Sequence, residues 1–281
     1  MNLKFLVNDY VLIWNILFQA SITENIHKLK QKLWDNYKIE YNKTYYDKDY
    51  ILQDYKNFIP NDDTVYNMVL ETKEYERIKK DTEKYRNMLL KKWDENKRKV
   101  KAELKDILRF NVEDYKVLVV SNLMNTVDTT VIKDQKENVI VFGLTSDGTN
   151  KIIIDLLYEI LKRETRNYNS KHRNIVKAVI ELAILNELPT RLNKRSHYLT
   201  GSSARDNIKR QIYPYWLMYL GIPQEEFLNY MMRDKIVFET EKYAYEKELK
   251  KMNIEEFIEF CIRNQRYIIR ETKEEKKIEI L

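Results

Sequence analysis

Glycine and proline are scarce, with four of each in 281 residues, far below average usages of about 7% and 5%. So few turn-formers and helix-breakers, beside many Lys, Glu, Leu and Ile, point to a mostly helical chain with few tight turns. There is one cysteine, Cys261. It excludes an intramolecular disulfide and any cysteine-rich zinc site, and it fits a reducing, cytoplasmic setting. Histidine is nearly as rare, with three copies at His27, His172 and His197. Long apolar runs are missing too. The opening stretch, MNLKFLVNDYVLIWNILFQ, is interrupted by Asp9 and is followed by no small-residue cleavage site. It reads as a buried helix over 10–20, not as a signal peptide or a membrane span. Nor is charge strongly of one sign: a formal net charge of +6 permits an acidic partner without demanding one.

What is present is a globular composition. Hydrophobic residues make up 43% and charged residues 33%, so the chain can bury a core and lacks the polarity of a disordered one. Tyrosine is abundant, with 21 copies. Each buries a ring while keeping a wet hydroxyl, which suits helix interfaces and binding surfaces alike. Residues 1–60 read as two or three helices ending at Pro60. From Asp62 to Phe110 there is neither glycine nor proline, and apolar residues recur at helical spacing, with Tyr85, Leu89 and Trp93 on the buried side. The pattern predicts one very long helix over 62–110, or two with a soft joint near 80–84, with an end free to offer a partner surface.

The texture then changes. YKVLVVS (115–121) and NVIVFG (138–143) are short β-branched runs bounded by Asn, Asp and Gly, hence strands, and TTVIK (129–133) is a candidate third. Beyond them Asp147 or Thr149 caps a helix to about Arg166, with Ile153, Leu156, Leu157, Ile160 and Leu161 on its core face. A helix that is apolar nearly all round runs from about His172 to Leu188 and ends before Pro189. Another starts near Ser202 and Ser203 and stops before Gly221. IPQEEF opens a fourth, and NIEEF opens a last one, with Asn253 and Glu256 in a capping-box pattern. The expected class is α+β and predominantly α-helical, with a long N-terminal helical region, a small sheet near 115–143 and a C-terminal helical bundle. In domain terms this gives residues 1–110 and residues 111–281.

One stretch raises a chemical question: DLLYEILKRETRNYNSKH, Asp155 to His172. A strand precedes it, and a helix carrying Glu181 and Asn186-Glu187 follows it. That element order is the one of a zinc metallopeptidase core. Residues 115–220 resemble zincin-like metallopeptidases of the gluzincin branch, and IELAILNELPTRLN with the later YPYWLMYL resembles a bacterial branch of zincin-like proteins. In that family H-E-x-x-H sets two imidazoles one helical turn apart so that both meet one zinc, and the glutamate activates the metal-bound water. Here Tyr158 and Lys162 occupy the histidine positions, while Glu159 and Glu187 (or Glu181) carry over. A protonated ammonium has no lone pair for a metal. The resemblance therefore implies a degenerate member, a pseudoenzyme with no metal site and no cofactor.

Glu181 stands inside AVIELAIL, an apolar segment. A carboxylate there needs a cation, a metal or a proton. Lys162 is the cation expected to meet Glu181 or Glu187, with Tyr158 and Glu159 facing the same helix. The residues also fit a plainer account, since Glu159 with Lys162 or Arg163, and Glu187 with Arg191, are ordinary helix ion pairs.

A second chemistry is written nearby. Arg166 followed by His172, and Arg191 followed by His197, match the loose spacing of HEPN-type ribonucleases. Arginine would hold the scissile phosphate and histidine would move a proton near its own pKa. Charge supports an acidic partner here: residues 160–216 hold twelve Lys and Arg against four Asp and Glu. Arg195, His197, Ser202, Ser203 and Arg205 gather around a Gly-Ser-Ser helix start, where free N–H groups could hold a phosphate or an acidic side chain. Tyr198 could stack on a base, or Ser203 could simply cap the helix. The sequence thus favours a non-catalytic, zincin-like scaffold that binds another protein, with no membrane role. The competing class is a nucleic-acid-binding protein or metal-independent ribonuclease using the basic region 162–210.

Overall fold

The computed structural model describes residues 1–18, 24–46, 64–120, 138–143, 151–165, 170–194, 197–223, 226 and 246–265. The fold is α+β and predominantly helical. Among the described residues, three parallel strands form one sheet in the order β1 (Leu3–Leu6), β2 (Tyr115–Val119) and β3 (Val139–Phe142). β2 and β3 stand where the β-branched runs predict strands. Val117, Leu118 and Val119 are all buried, as is the whole of β3, the pattern of a parallel sheet covered on both faces. TTVIK lies outside the described residues.

β1 is not legible in the sequence. Its four residues include Lys4, too short and too mixed a run to show a period. What makes it a strand is non-local: Leu3 to Leu6 pair in register with Tyr115 to Leu118. α1 (Asp9–Phe18) then follows as the expected apolar helix. Asn8 starts it, its side-chain oxygen accepting the Val11 N–H at 3.0 Å. α2 (Glu24–Tyr46) comes next, with a non-helical Tyr37 (φ −143°, ψ 40°) inside it.

The long predicted helix is two, and its joint is misplaced by ten residues. α3 (Thr64–Leu70) and α4 (Lys73–Leu108) meet at residues 71–72, not at 80–84. Thr72 makes the break. Its hydroxyl donates to the Val69 carbonyl at 2.7 Å and accepts the Tyr75 N–H at 3.2 Å, so one side chain closes one helix and caps the next. At the expected joint Thr82 instead bonds back to the Ile78 carbonyl at 2.8 Å and stays buried within the helix. Tyr85, Leu89 and Trp93 are buried as expected. The expectation of a free end fails, because α4 buries Tyr75 and Ile78 near its start and Leu104, Ile107 and Leu108 at its finish. Residues 94–99 between these ends are all exposed.

The chain forms two compact units, Met1–Lys97 with Val112–Glu159, and Arg98–Asn111 with Ile160–Leu281. This spatial division differs from the sequence division at residue 110 because α4 and α5 (Ile152–Glu164) contribute residues to both units. In the first unit, α1 residues Leu12, Ile13 and Ile16 share one core with Tyr66 and Val69 of α3 and with Leu118 and Val141 of the sheet. No helix among the described residues is long and apolar enough to cross a membrane.

The second unit is a helical bundle. One continuous helix is built from α6 (Arg173–Ile180), a π-helical segment (Glu181–Glu187) and α7 (Leu188–Arg191). It runs through Pro189 rather than ending before it. α6 packs on α8 (Asp206–Leu220) and on α10 (Ile254–Arg263), and the short α9 (Glu246–Leu249) packs on α8. α8 stops where expected, at Gly221 in the left-handed region (φ +77°). α10 opens with the predicted capping box: Asn253 accepts the Glu256 N–H at 3.0 Å and its own N–H donates to the Glu256 carboxylate at 2.8 Å. Phe257 of α10 lies 5.7 Å from Trp216 and 4.9 Å from Tyr219 of α8, ring centre to ring centre. Cys261 is fully buried here, and burial pushes its thiol pKa up. It is a small core hydrophobe rather than a reactive thiol. The helix expected at IPQEEF falls largely outside the described residues.

Candidate functional site

The site is built on the irregular part of the α6–α7 helix. Pro189 has no N–H to give, and in a regular helix its ring would press on the carbonyl four residues back. The preceding turns are wound more loosely, so that the Leu188 N–H reaches the Ala183 carbonyl five residues back. Short π-helical stretches of this kind are frequent at functional sites. Glu181 is the first residue of this one and is 1% exposed.

Its carboxylate sits in a seat made by the loop that leads into α8. Oε1 accepts from the Arg205 Nε at 3.0 Å, from the Arg205 Nη2, and from the Ser202 backbone N–H at 3.4 Å. Oε2 lies 3.2 Å from the Lys209 ammonium. Lys209 is 0% exposed. It also donates to the Leu199 and Thr200 carbonyls at 3.0 and 3.4 Å and pairs with Asp206 at 3.1 Å. Gly201 closes the seat from above. Its φ of +122° disfavours any side chain, and a Cβ there would lie 2.6 Å from both Cδ and Oε2 of Glu181.

Among the described residues two acids, Glu181 and Asp206, face two bases, Arg205 and Lys209. Isolated buried ions would cost several kcal/mol each, and mutual pairing with added hydrogen bonds is what makes such a group tenable. The sequence reading is right that Glu181 needs a cation, but two cations from the next helix already meet the need. Lys162 is not required for it and sits half-buried on α5. Tyr158 and Glu159 are half-buried on the same helix.

Glu187 belongs to a separate ion cluster. Arg191 bonds its carboxylate at 2.6 Å, bonds Asp106 as well, and lies 3.5 Å from Glu103. Burial alone would lower the Arg191 pKa, but the hydrogen bonds to Glu187 and Asp106 outweigh it and raise the pKa. A third arginine, Arg109, has a left-handed backbone (φ +56°). It donates to the carbonyls of Leu249, Lys250 and Met252 at 3.3, 2.8 and 2.9 Å, and to that of Tyr219. Its guanidinium carbon also lies 4.3 Å from the Tyr219 ring centre. It ties the ends of α8 and α9 together.

The remaining candidates do not assemble into a ribonuclease site among the described residues. Arg191 is committed to carboxylates. His197 accepts the Leu199 N–H at its Nδ1 (3.2 Å), while its own N–H donates to the Thr200 hydroxyl at 3.3 Å, so its ring orders the loop. His172 closes the 3-10 turn before α6. Arg166 and Arg195 lie outside the described residues. Neither serine side chain caps α8: the helix begins through a 3-10 turn at Ser203–Arg205 that has no side-chain cap bond. Tyr198 is buried and stacks on Tyr213 at 4.2 Å, so its ring is not available to a base. No group of three or more His, Cys, Asp or Glu among the described residues could hold a metal ion.

The sequence gives no direct sign of two central residues, Gly201 and Lys209. Lys209 reads as one of many solvated lysines, because only the fold brings its end under the 199–201 loop. The chain matches no protein-family model, no curated protein and no solved structure.

Proposed function

We propose that this chain does no chemistry of its own and acts by binding another protein, through the exposed aromatic part of α2. One observation carries the reading. Three large hydrophobic residues stand in the solvent within six positions of that helix: Trp34 at 46%, Tyr37 at 38% and Ile39 at 81% exposure. Scattered apolar residues need no explanation, but a cluster of this kind marks an interaction site. Lys38 lies over the Trp34 ring, 4.6 Å from its centre. The non-helical Tyr37 sits in the same stretch.

The charged groups of the second unit support the non-catalytic side of the proposal. Glu181 is paired with Arg205 and Lys209, and Glu187 is paired with Arg191, which also meets Asp106 and Glu103; each of these groups is held in an ion pair rather than presented to a substrate. The resemblance to a zincin scaffold without its histidines agrees with this and stays part of the proposal.

The test is a photo-crosslinking residue placed at Ile39 in the expressing cell. Discrete protein adducts that vanish when Trp34→Ala is added are the expected result. Stoichiometric zinc in the purified protein, RNA cleavage lost in His172→Ala or His197→Ala, or adducts to nucleic acid alone would overturn the reading.

A further inference from the structure

The seat around Glu181 has the chemistry of a receptor. A buried ammonium, a half-buried guanidinium and a backbone N–H converge on one carboxylate, and a glycine is placed so that nothing obstructs it. These groups lie on a different segment from the acid they hold: the loop and the start of α8 on one side, the π-helical segment on the other. The bonds within the loop, from the Leu199 N–H to His197 Nδ1 and from the Thr200 N–H to the His197 carbonyl (2.8 Å), do not involve Glu181. The loop therefore has an ordering of its own beside the acid.

We propose that residues 199–205 together with Lys209 form a carboxylate-binding site whose occupant in the intact chain is its own Glu181. The ligand class is a small monocarboxylate. It fits for two reasons. The seat presents one ammonium and one side of a guanidinium to the two oxygens of a carboxylate. Formate and acetate share the planar group of the present occupant, whereas sulfate and phosphate are larger and tetrahedral. In the intact protein the site is filled, so free anions do not enter it. When the internal carboxylate is removed, the buried Lys209 and the half-buried Arg205 are left short of an anion, and an external carboxylate of the right size relieves them.

The experiment is thermal unfolding of the full chain and of Glu181→Gly, each with formate, acetate, chloride and sulfate at matched ionic strength. Glu181→Gly should melt on the order of 10 °C lower than the intact chain, the loss expected when one partner of a buried ion group is deleted. Formate or acetate should restore much of that loss in a saturable way, chloride and sulfate should not, and the intact chain should show no such response. A Glu181→Gly variant that melts with the intact chain, that gains nothing from either carboxylate, or that gains equally from all four salts overturns the proposal. Glu181→Gln is the second variant. Its amide fills the seat, so it folds with less loss, and acetate must not stabilise it. A saturable acetate effect on Glu181→Gln would show that the carboxylate acts elsewhere and would overturn the assignment as well. If Glu181→Gly folds only in added carboxylate, its refolding yield from urea replaces the melting temperature, with the same salts and the same readings.

Discussion

Lys209 is completely buried; its ammonium donates to two backbone carbonyls and lies 3.2 and 3.1 Å from the Glu181 and Asp206 carboxylates. A buried charge is stable only in company, so deleting one member should cost more than deleting an exposed pair. Lys209→Met is expected to destabilise the protein by about 3 to 5 kcal/mol, read from urea unfolding. Adding Glu181→Met to it should recover part of that loss, because the unpaired carboxylate leaves with its partner. A double variant that loses the sum of the two single losses would show that the two groups do not interact. Gly201→Ala should be damaging for a different reason. Its methyl would stand 2.6 Å from the Glu181 carboxylate on a backbone at φ +122°. Strain at such a backbone position alone costs about 1 to 3 kcal/mol, and the displaced carboxylate adds to it. A melting temperature unchanged by Gly201→Ala would mean that the loop does not close on Glu181.

Elements in this protein are decided by different forces. α10 is fixed locally, by Asn253 and Glu256, and Asn253→Ala should cost about 1 kcal/mol in urea unfolding. β1 is held from outside. The residue before it, Asn2, is pinned by Asp114, whose carboxylate accepts from the Asn2 backbone N–H at 2.5 Å and from the Asn2 amide at 3.0 Å. The hydrogen bond from the Asn2 side chain is the main reason that the Asp114 pKa is lowered. A carboxyl with a lowered folded pKa stabilises the fold above the usual aspartate value of about 3.9, and that support is lost as pH falls through the folded pKa. Protection of the Leu3–Leu6 amides, taken relative to their intrinsic exchange rates, should therefore fall in acid before that of β3 does. Asp114→Asn should remove that pH dependence. Equal acid sensitivity in the variant would rule Asp114 out as its source. The π-helical segment has yet another origin: a proline that the helix must pass.

For the whole molecule, the distribution of tryptophan gives a direct test of the proposed surface. Trp14, Trp93 and Trp216 are at most 3% exposed, whereas Trp34 stands in solvent. Acrylamide or iodide should reach one tryptophan in the free protein, and Trp34→Phe should abolish the quenchable fraction. A quenchable signal that survives in Trp34→Phe would contradict this burial pattern, and with it the argument from α2. The same quenching should fall when the partner binds. Arg191, Arg205 and Lys209 are paired with internal acids and are not available to an external partner. Alanine at any of the three should therefore lower stability without changing the salt slope of any nucleic-acid binding, which would depend on the other basic residues.

The sequence by itself determined what depends on neighbours in the chain. Helical content followed from the shortage of glycine and proline. β2 and β3 followed from β-branched runs, the buried face of α4 from its period, and the start of α10 from a capping box. It also showed that Glu181, a charge in an apolar helix, had to be paired. Tertiary structure decided what depends on distant partners. β1 is a strand because β2 lies beside it. The helix that passes Pro189 and the break at Thr72 are local in origin, in a proline and in bonds to Val69 and Tyr75, and the sequence reading misplaced both. The pairing of Glu181, like β1, was decided by the fold. Its need for a cation is a property of local burial, but the identity of the cation is a property of the fold. Lys162, one turn from Tyr158, was the natural choice along the sequence. Arg205 and Lys209, 24 and 28 positions further on, were brought to it by the packing of α6 against α8.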